Sequence, residues 1–247
     1  MTDTTGSPGV TYRSLVVALK PTMTLITRRD WAGSAHLPPE GVGCVVASNH
    51  LSEIDPMVVA HFVHDSGRAP RFMAKASLFD LPIAGDLLRQ VGQIPVYRES
   101  KDATLSMQGA LDAVREGGCV IVYPEATLTR DPDLWPMRGK SGAARIALET
   151  GCPVVPLAHW GAQRLLPPYG RVARVFPPTK VTVRAGAPID LSDLSGPRSA
   201  KALRTATDRI MAGITGLLED IRGQSAPAVR FDPALAGVPV TGNPRKS

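Results

Sequence analysis

The segment Asn49-His50-Leu51-Ser52-Glu53-Ile54-Asp55 holds two residue types that together can carry out acid–base chemistry. A neutral histidine can take a proton from a hydroxyl group near neutral pH. A carboxylate can fix the imidazole tautomer and stabilise the imidazolium, as in the triad of serine hydrolases. Because a five-residue separation does not put two side chains on one face of a helix, the pair requires His50 on a turn and Asp55 at the start of the next helix, reaching back. Taken alone, the segment is explained more simply as a loop histidine followed by a helix-capping aspartate.

Two further segments end in polar residues that could bind a substrate. Gly92-Gln93-Ile94-Pro95-Val96-Tyr97-Arg98 ends in an arginine, which can hold a phosphate through two hydrogen bonds. Val122-Tyr123-Pro124-Glu125-Ala126-Thr127 puts Glu125 after an apolar run, where its carboxylate could bind a hydroxyl or brace a cation. Donors that could form an anion-binding wall with Arg98 follow it: Thr127, Thr129, Arg130, Arg138 and Lys140. Read singly, these segments are a surface arginine and a polar loop.

A fourth segment, Cys152-Pro153-Val154-Val155-Pro156-Leu157, carries no catalytic group. Its apolar residues between prolines suit an edge strand or a strand that lines a tunnel. We therefore predict a role in packing or in contact with an acyl chain.

Short apolar runs alternate with amphipathic segments along the chain, and this pattern must position the polar residues. Strands are predicted at residues 42–47, 71–74, 93–96, 119–123, 153–158, 172–176 and 180–184, and helices at 12–29, 56–63, 81–91, 103–115, 141–149 and 199–222. The alternation predicts a single α/β domain with a mainly parallel or mixed central sheet flanked by helices. Sites in such sheets gather beyond the carboxyl ends of the strands, where the polar segments fall.

The predicted organisation has three parts: an N-terminal tail and helix at residues 1–29, the main domain at 30–223, and an irregular tail rich in Pro, Gly and Ala at 224–247. The first helix carries apolar residues at spacings of three or four, with four basic residues beside them: Leu15, Val16, Leu19, Met23 and Ile26, flanked by Arg13, Lys20, Arg28 and Arg29. Two interpretations are open. The helix packs on the core, or it lies on an anionic lipid surface.

Composition limits the partners. A net charge of +6 and a pI of about 9.5 favour an anionic partner, and with 5% aromatic residues nucleic acid is the weakest candidate. Three separated cysteines predict a reduced cytosolic protein. The polar N-terminus does not resemble a signal peptide, and no apolar run reaches the roughly 18 residues of a spanning helix. We therefore expect a protein that lies on a membrane without crossing it.

Several alternative site types lack support in the sequence. His61 and His64 have a spacing that suits a metal pair, but no third ligand is evident. The nucleotide-binding patterns Gly-x-x-x-x-Gly-Lys and Gly-x-Gly-x-x-Gly are missing, as is the Gly-x-Ser-x-Gly of many serine hydrolases.

The order of the four segments is more specific than any one of them. Asn-His-x4-Asp, Gly-x-Ile-Pro-Val-x-Arg, Tyr-Pro-Glu-Ala-Thr and Val-Val-Pro-Leu, in this order, resemble the blocks of the glycerolipid acyltransferase family, which includes 1-acylglycerol-3-phosphate acyltransferases. Met73-Ala74-Lys75-Ala76 and Leu81-Pro82-Ile83-Ala84-Gly85 also resemble the family. The resemblance spans about residues 30–190.

The resemblance implies a reaction and a role for each matching residue. His50 is the base that deprotonates an acceptor hydroxyl, Asp55 orients it, and the hydroxyl attacks an acyl thioester without an acyl-enzyme. The implied acceptor is the sn-2 hydroxyl of 1-acylglycerol-3-phosphate, and the product is phosphatidic acid. The donor is acyl-CoA or acyl carrier protein, and no metal or tightly held cofactor is needed. We expect the enzyme at the cytoplasmic face of an anionic membrane, as a peripheral or monotopic protein. Substrate-binding roles fall to Asn49, Arg98, Glu125, Ala126, Thr127, Arg130 and Lys140.

Two residues of the third block depart from the family pattern. Ala126 stands where the family usually has glycine, and Leu128 where it has arginine. A β-carbon at position 126 disfavours positive φ, and the loss of the arginine removes one phosphate ligand, which Arg130, Arg138 or Lys140 could replace. The departures bear on the acceptor more than on the reaction. They leave open another lysolipid or a lipid-linked alcohol as acceptor, and a non-catalytic lipid-binding protein, which the presence of both His50 and Asp55 disfavours.

Overall fold

The computed structural model of the chain describes residues 9–97, 103–194 and 199–239. Its strands are β1 (Thr27–Ala32), β2 (Cys44–Ser48), β3 (Pro70–Lys75), β4 (Ile94–Val96), β5 (Cys119–Val122), β6 (Val154–Trp160) and β7 (Thr179–Ala185). Its α-helices are α1 (Val10–Ile26), α2 (Asp55–Asp65), α3 (Ala84–Gln90), α4 (Ala103–Arg115), α5 (Gly142–Thr150), α6 (Ala162–Leu165) and α7 (Ala200–Arg222).

The strands form one mixed sheet in the order β1-β7-β6-β2-β5-β3-β4. The five strands from β6 to β4 are parallel to one another, whereas β7 is antiparallel to β6 and parallel to β1. The prediction of a single α/β domain with a mainly parallel or mixed sheet is therefore confirmed.

The central strands β2 and β5 are apolar along nearly their whole length because helices cover both faces of the sheet. Alternate residues of β2 enter different cores: Val45 and Ala47 pack with α4, α5 and α7, while Cys44 and Val46 pack with α2. The sheet is thus buried on both sides, and its carboxyl edge is the place where polar residues can meet.

The long helix α7 has a capping residue at each end. Ser199 caps α7 by accepting a hydrogen bond from the Ala202 amide, and Gly223 ends the helix in the left-handed conformation. The predicted helix at residues 103–115 coincides with α4.

Two predicted elements are wrong. Residues 172–176 form no strand; they belong to an exposed loop between α6 and β7 and have no neighbouring strand to pair with. The first helix ends at Ile26, and the charged residues after it begin β1, which pairs with β7 at the edge of the sheet. Arg28 and Arg29 therefore belong to a strand, and the predicted domain boundary after residue 29 falls inside it.

The apolar stripe of α1 faces the protein. Leu15, Val16, Leu19 and Met23 line a cavity against α2 and α3, and only Met23 of this helix is fully buried. Within residues 9–97, 103–194 and 199–239, no helix has the length and apolar character needed to span a bilayer.

Candidate active site

The polar segments singled out in the sequence meet at one edge of the sheet. β2, β5 and β6 are parallel neighbours, so the residues that follow them emerge side by side. His50 lies just beyond β2, Glu125 lies just beyond β5, and His159 is near the end of β6. The site is therefore assembled from three strand ends.

His50 and Asp55 make the contact that their spacing required. The His50 Nδ1 atom lies 2.9 Å from Asp55 Oδ2, and the same oxygen accepts hydrogen bonds from the Leu51 and Ser52 amides at 2.5 and 2.8 Å. Asp55 is the first residue of α2 and its carboxylate reaches back over the turn, so it does not act as the simple helix cap of the alternative interpretation. Donation by Nδ1 leaves Nε2 as the basic nitrogen of a neutral ring.

The His50 ring is also held from its face. It stacks on Tyr123 with the ring centroids 4.1 Å apart and the planes at 18°. The His50 side chain is 18% exposed, whereas Asp55 is completely buried. The geometry thus offers an oriented imidazole with access to a ligand, above a carboxylate that solvent does not reach. Its catalytic role stays a prediction.

Glu125 fastens the main chain of this turn. Its Oε1 accepts a hydrogen bond from the His50 amide and its Oε2 one from the Met137 amide, each at 3.0 Å. Burial raises the pKa of Glu125 to about 8. The two amide hydrogen bonds favour the charged form and lower the pKa, but their effect is smaller than that of burial. The carboxyl group therefore joins two loops, and a direct bond to a substrate hydroxyl, as predicted, would compete with them.

Asn49 is tied to the neighbouring strand. Its amide nitrogen donates to the His159 carbonyl at 3.0 Å, and its amide oxygen accepts from the His159 backbone at 2.9 Å. The His159 ring nitrogen Nε2 lies 3.1 Å from the Asn49 carbonyl and 3.6 Å from Asp55 Oδ2. Asn49 is buried, so its predicted contact with substrate would require these bonds to be replaced.

His159 is a residue that no sequence motif singled out. It is fully buried, and burial lowers the pKa of its imidazole, so the ring is neutral and carries its proton on Nε2, towards the Asn49 carbonyl. Since it is 110 residues from Asn49 in the chain, no local spacing could have linked the two.

The predicted anion-binding wall is only partly assembled in the described residues. The Arg130 guanidinium contacts the Tyr169 hydroxyl and lies 3.3 Å from the Thr127 hydroxyl, and its plane faces the Tyr169 ring. The Lys140 side chain is exposed, and its amide donates to the Pro124 carbonyl at 2.8 Å. Arg138 forms an ion pair with Asp232 at 2.8 Å. Arg98 lies outside the described residues.

The two departures from the family pattern have visible consequences. Ala126 has a φ of 58°, in the left-handed region that glycine adopts without cost. Leu128 is buried at 5% exposure, so this position presents neither a charge nor a surface to a ligand.

An apolar cavity of about 460 Å³ has His50 and Tyr123 in its wall. The rest of its lining comes from α1, α2, β3, α3 and the segments directly after β3 and α3. It is mostly aliphatic, with Leu19, Met57 and Leu78 partly exposed at its mouth. Its volume lies within the range of about 300–1,000 Å³ that is usual for small-molecule pockets. The candidate base therefore faces a space suited to an apolar chain.

Comparison with known proteins decides the family. The model of the acyltransferase family matches residues 29–160, more than half of the chain. The chain belongs to the acyltransferase family. The matched segment contains His50, Asp55 and Glu125.

Individual relatives agree with this assignment. The chain is 30% identical over 141 residues to the chloroplastic 1-acyl-sn-glycerol-3-phosphate acyltransferase BAT2 of Brassica napus, a match that covers 57% of this chain and 39% of that protein. It is 32% identical over 87 residues to the lyso-ornithine lipid O-acyltransferase of Pseudomonas aeruginosa, covering 35% of this chain and 33% of the relative. This acyltransferase thus spans well under half the length of either protein.

The crystal structure of the 1-acyl-sn-glycerophosphate acyltransferase PlsC from Thermotoga maritima has a similar fold. The TM-score is 0.65 at 24% sequence identity, and the match covers 87% of this chain and 81% of that one. At this identity the similarity establishes the shared architecture.

Proposed function

We propose that this acyltransferase moves a fatty acyl group from acyl-CoA or acyl carrier protein to the sn-2 hydroxyl of 1-acylglycerol-3-phosphate, forming phosphatidic acid. The observation that carries the proposal is the His50–Asp55 contact of 2.9 Å beside an apolar cavity of about 460 Å³. The activities for which the relatives are named supply the substrate class.

The chemistry needs a base and correct positioning, because the thioester is already activated. The His50 Nε2 atom takes the proton of the acceptor hydroxyl while Asp55 stabilises the imidazolium through Nδ1. The hydroxyl oxygen forms a bond to the thioester carbonyl carbon, the carbon–sulfur bond breaks, and the departing thiolate takes the proton back from His50. No metal or tightly held cofactor enters this proposal.

Substrate contacts follow from the positions around the base. The cavity beside His50 accommodates the acyl chain of the donor, because its lining is mostly aliphatic. For the phosphate of the acceptor we propose Arg98, and Arg130 with Thr127 from the loop after β5. Lys140 is exposed, and we propose that its ammonium group adds a further positive charge for the phosphate.

The decisive assay compares wild type with His50→Ala and Asp55→Asn, using acyl-CoA and lysophosphatidate. Loss of the base or of its orienting carboxylate lowers kcat by roughly 10²–10⁴-fold. His36→Ala, a change at an exposed histidine, is the matched control and retains activity. Phosphatidate formation at the wild-type rate by His50→Ala would show that the base is another residue.

A second acceptor is favoured by a specific observation. Leu128 is buried where the family usually has arginine, which leaves the site one cation short for a phosphate, and one relative is named for a lyso-ornithine lipid. The same assay with lyso-ornithine lipid in place of lysophosphatidate separates the two. Acylation of the ornithine lipid alone would exclude the phosphate assignment of Arg98 and Arg130.

The acceptor is a membrane lipid, and we propose that the enzyme meets it peripherally, at the cytoplasmic face of an anionic membrane. The net charge of +6 supports attraction to such a surface. The apolar stripe of α1 lines the cavity, and its Leu19 is partly exposed at the mouth, so this helix stays one candidate for the lipid contact.

A further inference from the structure

The loop between α6 and β7 exposes large apolar side chains beside arginines. Val172 and Phe176 are 78% and 86% exposed, and Val175 is 52% exposed. Arg171 and Arg174 alternate with them and are exposed as well. Exposed aliphatic and aromatic side chains grouped in this way are unfavourable in water and are typical of a binding surface.

The pairing of β1 with β7 brings the end of α1 to the same place. The two strands are parallel, and Thr27, directly after α1, pairs with Thr179, directly after the loop. Leu25, which is 75% exposed, therefore emerges beside the loop. We call Leu25, Arg171, Val172, Arg174, Val175 and Phe176 the basic–apolar surface.

This surface is at the edge of the sheet that holds His50. β7 is antiparallel to β6, with Trp160 opposite Thr182, so β7 begins where β6 ends. β6 is in turn parallel to β2, whose carboxyl end leads into His50. The residues before β7 and the candidate base thus emerge at one edge.

The base of the loop is fastened to the turn that carries His50 and Asp55. The Ser52 hydroxyl donates to the Leu166 carbonyl at 2.6 Å, and the Tyr169 amide donates to the Glu53 carboxylate at 3.0 Å. The Arg174 amide donates to the Leu165 carbonyl at 2.7 Å, which closes the base of the loop. A ligand held by the loop would therefore lie at a fixed position relative to the base.

The charged residues in the stretch of the chain around this loop are all basic, and the carboxylate of Glu53, from outside the stretch, accepts the Tyr169 amide. No Asp or Glu occurs between Glu149 and Asp190, while Arg164, Arg171, Arg174, Lys180 and Arg184 lie in that stretch. Lys180 and Arg184 are paired with Asp30. A partner that binds here must therefore be both apolar and anionic, as the interface of an anionic bilayer is.

We infer that the basic–apolar surface is the part of this acyltransferase that enters the interface of an anionic bilayer, with Val172 and Phe176 among the acyl chains and Arg171 and Arg174 at the headgroups. The inference rests on the proposed function, since it delivers the lipid acceptor to His50. A bilayer is favoured over an acidic carrier protein because the most exposed side chains of the loop are apolar.

Two variants separate the apolar and the charge contributions. Val172→Ser with Phe176→Ser lowers binding to phosphatidylcholine vesicles containing phosphatidylglycerol at least about tenfold, since burying one large apolar side chain is worth about that factor. Arg171→Gln with Arg174→Gln lowers binding to the anionic vesicles roughly tenfold or more at low salt and leaves binding to pure phosphatidylcholine unchanged.

The matched control is Val42→Ser with Arg115→Gln. These exposed residues lie at the opposite edge, before β2 and at the end of α4, and vesicle co-sedimentation of this variant equals that of wild type. In the loop variants, the rate of acyl transfer to lysophosphatidate in vesicles decreases in parallel with vesicle binding. Their rate of transfer to lysophosphatidate in detergent micelles stays at the wild-type value.

The outcomes distinguish this inference from the proposed function. If both loop variants bind vesicles as well as the wild-type protein does, the inference about the surface is wrong, even if the wild-type protein makes phosphatidate. If the loop variants bind vesicles less well but the wild-type protein transfers no acyl group to any acceptor, the inference about the surface is supported and the proposed function is wrong. If the variants bind vesicles normally but lose transfer only from acyl carrier protein, the surface is a carrier-protein site and the inference is wrong.

Discussion

Two buried carboxyl groups lie on either side of His50 and differ in their surroundings. Asp55 receives three hydrogen bonds on one oxygen, one of them from the His50 ring. Glu125 receives two backbone hydrogen bonds but none from the ring, and burial raises its pKa to about 8. The first group bonds to the His50 ring itself, while the second holds the main chain that carries this ring.

Glu125 therefore makes stability depend on pH in a direction unusual for a carboxyl group. Its pKa is about 8 in the folded protein and 4.5 as the ordinary value, so the folded state binds the additional proton between these pH values. The stabilisation by the protonated form is complete below about pH 4.5 and is lost as pH rises to 8. The slope for one proton is at most about 1.4 kcal/mol per pH unit.

The variant Glu125→Gln removes this titration. We expect the unfolding free energy of the variant, relative to wild type, to rise between pH 5 and pH 8, measured by denaturant unfolding at several pH values. Asp131→Asn, at another buried carboxylate bonded to backbone amides, is the control. A pH-independent difference for Glu125→Gln would mean that Glu125 is already ionised in the fold.

Ala126 is held at a φ of 58°, where its β-carbon is unfavourable by about 1 kcal/mol. Ala126→Gly relieves this strain but frees the unfolded chain, so we expect the unfolding free energy to rise by at most about 1 kcal/mol. Ala147→Gly is the control, because this alanine lies inside α5, where glycine is unfavourable. We expect its unfolding free energy to fall by about 1 kcal/mol or more. A thermal or denaturant melt measures both, and destabilisation by Ala126→Gly would show that the β-carbon has a packing role.

At the scale of elements, the link between the turn after β2 and the end of β6 determines how firmly His50 is positioned. Asn49 exchanges two hydrogen bonds with the His159 backbone, and both residues are buried. The chain leaves the sheet after β2, and here the Asn49 side chain takes the place of the backbone hydrogen bonds that would continue the pairing of β2 with β6. It therefore extends the register of β2 and β6 into the candidate site.

Asn49→Ala breaks that link. The His159 amide and carbonyl are then left buried without their partner, which costs about 1–3 kcal/mol each. We expect a lower unfolding free energy and, in the acyl-transfer assay, a fall in kcat with little change in the KM for either substrate. Gln163→Ala is the control, because it removes a buried amide that bonds to Gly161 and not to the turn.

A change in the KM for the acceptor, with kcat unchanged, would contradict the positioning role of Asn49. In that case the side chain would contact substrate, as the sequence predicted, and the affinity for the acceptor would change while kcat stayed constant.

The sequence predicted those elements whose signals are local. The capping residues of α7 and the fully apolar run of β5 are legible over a few residues, and so is the five-residue contact between His50 and Asp55. β1 was missed because an edge strand can carry charged residues on both faces, and Arg28 and Arg29 resembled the flank of a helix. The false strand at residues 172–176 has the alternation of a strand but no partner to pair with.

The cavity and the role of His159 could not be read from spacing. The cavity is bounded by residues from Tyr12 to Tyr123, and the Asn49–His159 contact joins positions 110 residues apart. Both depend on how the strands are ordered in the sheet, which local patterns do not specify. The order of the four segments predicted the site only because a parallel sheet brings strand ends together.

At the scale of the whole molecule, the cavity connects the base to the mouth formed by α1, α2 and the segment after β3. α1 closes one wall and is held there by the ion pair of Lys20 with Asp65 at 2.7 Å and by the bond of Tyr12 to His64 at 3.0 Å. In the proposed function this cavity holds the acyl chain of the donor, so several packed elements would set the chain-length selectivity. We then expect a single enlarged side chain in the wall to change it.

Ala60→Phe is the test, because Ala60 is on α2 and lines the cavity. The larger ring reduces the length available to an acyl chain, so we expect kcat/KM for palmitoyl-CoA to fall roughly tenfold or more relative to that for octanoyl-CoA. Val17→Phe, on the exposed side of α1, adds the same ring outside the cavity and keeps the wild-type ratio. If the chain length of the lysophospholipid becomes limiting instead, the cavity holds the acceptor, and the proposed assignment of the donor chain to it is wrong.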